Sequence, residues 1–169
     1  MVNLKFPPSF NQIFVKNDPF GNDIFSSKME EKTILMGISG YFLDKETFLA
    51  LEKTAKEFNE KDFFISETEC LQISEIKNFK KRPFSSYERY VKSEILLENA
   101  QYSEVGRWGI LISQEEFGIM GATAEFMEVF KRQYPPYAQQ MDKFDKCMAY
   151  KKQRYNADLD WVKDFKKNF

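Results

Sequence analysis

The stretch from Trp108 to Phe130 leaves the fewest choices of fold, because it reads as strand, turn, strand and helix in close succession. Trp108-Gly109-Ile110-Leu111-Ile112 is a continuous apolar run of strand length. Ser113–Glu116 is a polar turn, and Phe117-Gly118-Ile119-Met120-Gly121 is a short companion strand. Thr123 then stands at a helix N-cap position, with Phe126, Met127 and Phe130 on the inner side of the helix it opens. A compact α+β unit accommodates that order.

The flanking sequence extends the pattern. Residues 1–32 are rich in Asn, Pro, Ser and Phe with weak periodicity, and predict a loosely structured leader that packs through Phe6, Phe10, Phe14, Phe20 and Phe25. Residues 33–39 predict a strand ended by Ser39-Gly40. Asp44 is placed to cap a helix whose Phe48, Leu51, Ala55 and Phe58 share one face, with Asn59 closing it. Phe63-Phe64-Ile65 and Cys70-Leu71-Gln72-Ile73 predict two short strands, and the basic run from Lys77 to Arg82, followed by Pro83, predicts a loop. Tyr87–Leu97 fits both periods, and its alternation favours a strand. After the break at Tyr134-Pro135-Pro136, Tyr137, Met141, Phe144, Met148 and Lys151 form an amphipathic stripe over a helix at 136–153, and Asp158 caps a last short helix through Trp161, Val162 and Phe165. The expectation is an α+β fold over residues 1–169 as a single domain: a small central antiparallel sheet with helices packed on one side, a core over 33–130, and a helical C-terminus over 134–169.

Composition bounds the chemistry. The chain of 169 residues is 43% hydrophobic and 30% charged, a globular mixture. It has no histidine, which excludes His-based triads, proton shuttles and imidazole metal ligands. Cys70 and Cys147 match no metal or redox spacing and read as reduced thiols. The expectation is no metal and no cofactor. No signal-like run opens the sequence, and no stretch approaches the roughly 20 apolar residues that span a bilayer; the expectation is a cytoplasmic protein without a membrane partner.

Charge is uneven beneath a net of −1. Residues 93–130 hold seven Glu against Arg107 alone, while residues 131–169 hold ten Lys or Arg against five Asp. The even-handed account is a set of solvated helix faces; the sharper one is an acidic docking surface that steers a basic partner. The carboxylate pairs Glu115/Glu116 and Glu125/Glu128 fit a turn and a first helical turn better than a catalytic cleft. Gly37-Ile38-Ser39-Gly40 and Gly118-Ile119-Met120-Gly121 match no phosphate or nucleophile motif, and Ser39 and Ser113 have no visible base. The tract Tyr150, Lys151, Lys152, Arg154, Tyr155 has the residue types that bind nucleic acid. Interspersed Asp residues and a pI near 5.7 weigh against that partner.

The run Arg107-Trp108-Gly109-Ile110-Leu111-Ile112-Ser113-Gln114-Glu115-Glu116-Phe117-Gly118 resembles small bacterial immunity proteins of polymorphic toxin systems, in which a Trp-Gly strand and a following acidic turn recur; the resemblance spans residues 104–135. It implies a non-catalytic protein that neutralises a cognate toxin, here a basic toxin domain, by occluding its active site. Glu104, Glu115 and Glu116 are the expected steering charges, and Tyr102 the expected rim anchor. The alternatives are a nucleic-acid-associated or phage-type accessory protein using the basic C-terminal helices, and a small carboxylate-based hydrolase or transferase.

Overall fold

The computed structural model describes residues 7–68, 79–95 and 97–169. In chain order the elements are α1 (Pro8–Ile13), β1 (Glu31–Leu35), β2 (Ile38–Ser39), β3 (Phe42–Leu43), α2 (Lys45–Glu57), β4 (Asp62–Glu67), β5 (Lys80–Pro83), α3 (Tyr87–Tyr90), β6 (Asn99–Ser103), β7 (Trp108–Ile112), β8 (Gly118–Ala122), α4 (Ala124–Gln133), a 3-10 turn (Pro135–Gln139), α5 (Gln140–Tyr155) and α6 (Asp160–Lys166). Six strands form one sheet in the order β1-β8-β7-β6-β4-β5, with every described pairing antiparallel, and β2 and β3 form a separate hairpin. The α+β class, the antiparallel sheet and the helical C-terminus are those the sequence predicts.

Side chains alternate across the pleat and so divide the interior into two layers. Trp108, Ile110, Ile112, Met120, Phe63 and Leu35 face α2, α3 and α4, where they meet Phe48, Leu51, Tyr90, Phe126 and Phe130. Leu111, Ile119, Ile34, Phe64 and Tyr102 face the opposite way, toward Phe10, Ile13, Phe14 and Phe25 and toward Phe144, Met148 and Phe165 of the C-terminal helices. Helices therefore cover both faces of the sheet, where the sequence pattern predicts one. The second face is closed by the segment expected to be loose: Phe10, Ile13, Phe14, Ile24, Phe25 and Met29 are all buried.

The helix signals act as read. Asp44 accepts a hydrogen bond from Thr47 N at 2.8 Å, and Asn59 leaves α2 at a φ of +58°. Thr123 Oγ1 accepts from Phe126 N at 3.4 Å. The helix expected from residue 136 begins at Gln140: on α5, Phe144 and Met148 are buried and Met141 and Lys151 half-buried, while Tyr137, also half-buried, lies in the 3-10 turn before it. The buried Gln140 fixes the start of α5 to the end of β1 by accepting from Met36 N at 2.7 Å.

Other expectations change. Residues 80–83 form a strand instead of a loop, the last in the sheet among the described residues, a place that suits charged residues and a terminal proline. Residues 87–90 form a short helix instead of a strand, because Ser86 accepts from Arg89 N and the spacing of Tyr87 and Tyr90 suits a helical turn. Asp158 accepts from Asp160 N at 3.0 Å, but α6 begins at Asp160 with Leu159 in the cap position. The strand expected at Cys70–Ile73, and also Phe6, Lys77 and Leu96, lie outside the described residues.

Candidate functional site

Tyr102 is not a rim residue. It sits on β6, an interior strand, and is 0% exposed. Its ring meets Phe10 and Phe14 edge-on, at centroid distances of 5.3 and 5.9 Å, and its hydroxyl shares a 2.8 Å hydrogen bond with Ser66 Oγ. Burial pushes its phenol well above the ordinary tyrosine range. The expectation failed because the N-terminal segment covers the face of β6 that Tyr102 occupies.

The three expected acidic residues fall at two places. Glu104 lies in the turn between β6 and β7, and Lys81 donates to it at 2.8 Å while also lying 3.4 Å from Asp62. Glu115 and Glu116 lie in the turn between β7 and β8. The two turns are at opposite ends of β7, roughly 17 Å apart at about 3.4 Å per residue. They do not form one acidic patch.

The β7–β8 turn is held from every side. Ser113 N donates to Phe117 O at 3.0 Å, and Ser113 Oγ donates to the same oxygen at 2.9 Å while accepting from Glu115 N at 3.1 Å. Gln114 N donates to Glu98 Oε1 at 2.9 Å. Lys151 of α5 donates to Glu115 Oε2 at 2.6 Å and to its carbonyl oxygen at 3.2 Å. Glu116 closes the turn at a φ of +65° with its side chain exposed. Left-handed backbone is ordinary for Asn and Asp and unfavourable for Glu. The other described non-glycine residues at positive φ are Asp23, Asn59 and Asn156.

The Lys151 contact brings the end of α5 to this turn. Tyr155, one helical turn beyond Lys151, and Tyr150 are 68% and 57% exposed, with rings edge-on at 6.2 Å. Lys152 and Arg154 are exposed beside them. Lys151 neutralises Glu115, so the surface carries mixed charge, with the Glu116 carboxylate on the turn and the Lys152 and Arg154 cations on the helix. Sequence alone separates these groups: the turn reads as an acidic feature and the tyrosines as part of a basic tract. Exposed tyrosine at the end of an amphipathic helix was the available signal.

The groups best placed for chemistry are occupied in structural bonds. Glu60, buried, accepts from Ser103 Oγ at 2.9 Å, Trp108 Nε1 at 3.1 Å and Arg107 Nη1 at 3.2 Å. Ser113 serves the turn, and Glu125 and Glu128 are exposed on α4. Among the described residues, no three Cys, Asp or Glu side chains converge as a metal-holding group, and no helix is long and apolar enough to cross a membrane. The arrangement around Glu116 suits non-covalent recognition: a rigid turn, one free carboxylate and two amphipathic rings. No family model matches the chain, and neither a curated protein nor a solved structure is significantly similar to it.

Proposed function

We propose that this chain is a non-catalytic protein-binding module of the immunity type, which neutralises a cognate toxin domain by covering its active site. The observation that carries this reading is Glu116: an exposed glutamate held in left-handed backbone on a turn braced by Ser113, Glu98 and Lys151. Strained residues kept at exposed, rigid positions concentrate at functional sites, because folding alone favours a cheaper residue there. Tyr150 and Tyr155 are exposed on α5, the helix whose Lys151 bonds that turn, and are the kind of aromatic group that dominates many protein interfaces. Glu116 meets a cation of the basic partner, the tyrosines exclude water around the pair, and the pre-formed turn limits the ordering cost of association.

The test is co-expression with candidate toxin domains drawn from the genes beside the one encoding this chain, scored by growth and by direct binding. Relief of toxicity by the native chain, and its loss in Glu116→Lys combined with Tyr155→Ala, supports the reading. A folded native chain that neither binds nor relieves toxicity sinks it. The Tyr150, Lys152, Arg154 and Tyr155 cluster also has nucleic-acid-binding chemistry. Steeply salt-dependent binding of single-stranded DNA, insensitive to Glu116→Lys, favours that second reading.

A further inference from the structure

The edge of the sheet opposite β1 carries a separate feature. Arg82 on β5 pairs in register with Phe63 on β4, so the pleat turns its side chain toward the α2 and α3 face of the sheet. There a cavity of about 190 Å³ opens, lined by Arg82, Arg89, Ser85, Ser93, Phe63 and Tyr90. The Arg82 Nε is buried with no hydrogen-bond partner. Among the described residues no carboxylate lies within ion-pair distance of Arg82 or Arg89, although Lys81 beside them is paired with both Asp62 and Glu104. The cavity floor is rigid: Phe63 and Tyr90 are buried, and the Tyr90 hydroxyl accepts from Leu43 N at 2.8 Å and donates to Gln101 at 2.9 Å.

The unpaired Arg82 N–H removed from water costs free energy, and an anion in the cavity relieves that cost while meeting a second, solvent-exposed cation at Arg89. Nε–H and one Nη–H of Arg82 form the planar fork that takes two oxygens of one oxyanion, Arg89 supplies a second cation from another element, and Ser85 and Ser93 add hydroxyl donors. Two cations with no protein carboxylate match a dianion better than a monoanion. The volume lies below the roughly 300–1,000 Å³ of sites for whole drug-sized ligands, and so fits a head group. We infer that this cleft is a binding site for a dianionic phosphate group, free or esterified, held between Arg82 and Arg89. The inference is independent of the docking surface at Glu116, which lies on a different turn.

A competing account is that Arg82 only guards the open edge of β5, as inward-pointing charges do on edge strands. Calorimetric titration at constant ionic strength separates the two, with inorganic phosphate, O-phosphoserine and acetate as probes. Saturable binding of phosphate or phosphoserine is expected, weakened roughly tenfold or more both in Arg89→Gln and in Arg82→Lys, which keeps the charge and loses the fork. Tighter phosphoserine binding identifies an esterified phosphate as the natural occupant, and equal affinity identifies the free ion; both support the site. Arg89 is exposed, so Arg89→Gln keeps the fold, which circular dichroism verifies. No saturable binding to the native chain, undiminished affinity in the folded Arg89→Gln variant, or acetate binding as tightly as phosphate overturns the inference. Absent binding together with aggregation of Arg82→Val leaves the edge guard as the explanation.

Discussion

The indole of Trp108 donates to the carboxylate of Glu60 at 3.1 Å in the interior of the protein, joining the first residue of β7 to the segment between α2 and β4. Glu60 Oε2 also accepts from Ser103, so one carboxylate oxygen ties β6, β7 and the end of the α2 connection together. Glu60→Ala leaves the Trp108 N–H and the Ser103 hydroxyl without their partner and Arg107 without its counter-charge. The expected cost is about 1–3 kcal/mol for each of the two buried donors left unsatisfied, with little added by Arg107, whose side chain is 39% exposed and returns to water. Trp108→Phe removes one donor and costs less, and the two changes together cost less than their sum, because they share a contact. Urea denaturation of the two single variants and the double variant measures the coupling; strict additivity means that the bond contributes no stability.

Gly109 has a different task from its neighbour. It is the register partner of Gly121, and a β-carbon at 109 falls 2.5 Å from both Ile13 and Phe14, while one at 121 falls 2.5 Å from Phe25. The paired glycines form a trough in the sheet into which the N-terminal segment lays its rings. Gly109→Ala is expected to cost about 1–3 kcal/mol, as overpacking does, and to speed amide exchange over residues 10–26 more than over α2. Uniform exchange across the two faces removes the trough as the reason for glycine.

How much of this was legible depends on whether a segment carries its own period. β7, β8, α2 and α4 did, because their apolar spacing and their caps at Asp44 and Thr123 are local signals. β6 gave none: Asn99-Ala100-Gln101-Tyr102-Ser103 is polar in sequence and fully buried in the fold. Its amides rely in part on partners far along the chain, as when Asn99 donates to Tyr41 O at 3.0 Å and Gln101 accepts from Tyr90. The second layer was hidden for the same reason, since a Phe-rich segment without periodicity shows its purpose only against Gly109 and Gly121. Of the candidate site, Glu115 and Glu116 were visible as a turn. Lys151, the partner of Glu115, is 36 residues away, and that tertiary contact is what brings α5 and its tyrosines to the turn. The Arg82 cleft was invisible because a basic run beside a proline reads as loop until β4 fixes its pleat.

Alkaline titration checks the burial of three phenols. Burial raises the Tyr90, Tyr102 and Tyr134 hydroxyls above the ordinary value of 10.0. The unfolded chain gives up these protons near pH 10, while the folded chain still holds them. Their contribution is therefore intact below about pH 10 and is lost as pH rises beyond it. The urea midpoint should fall between about pH 9 and about pH 12, and Tyr90→Phe should flatten that fall. Complete phenolate absorbance from an undisturbed fold contradicts the buried placement.

Glu116 offers the sharpest separation of stability from function. Left-handed backbone costs an L residue on the order of 1 kcal/mol, and glycine avoids that cost. Glu116→Gly should thus stabilise the fold by about 1 kcal/mol, and Glu116→Asn, tolerant of the same backbone but uncharged, should stabilise it somewhat less. The binding role predicts the opposite direction for recognition. Both variants lose the free carboxylate on the turn, so association with the toxin domain should slow at low salt, and the gap from the native chain should close as salt screens the attraction. Lys151 stays paired with Glu115 in both variants, which leaves the turn and the tyrosines in place. Stopped-flow association at two ionic strengths, beside chemical denaturation, reads the two effects separately. Stabilised variants that bind at the native rate would mean that the strain at Glu116 serves no interface, and the docking surface would have to be sought elsewhere on the molecule.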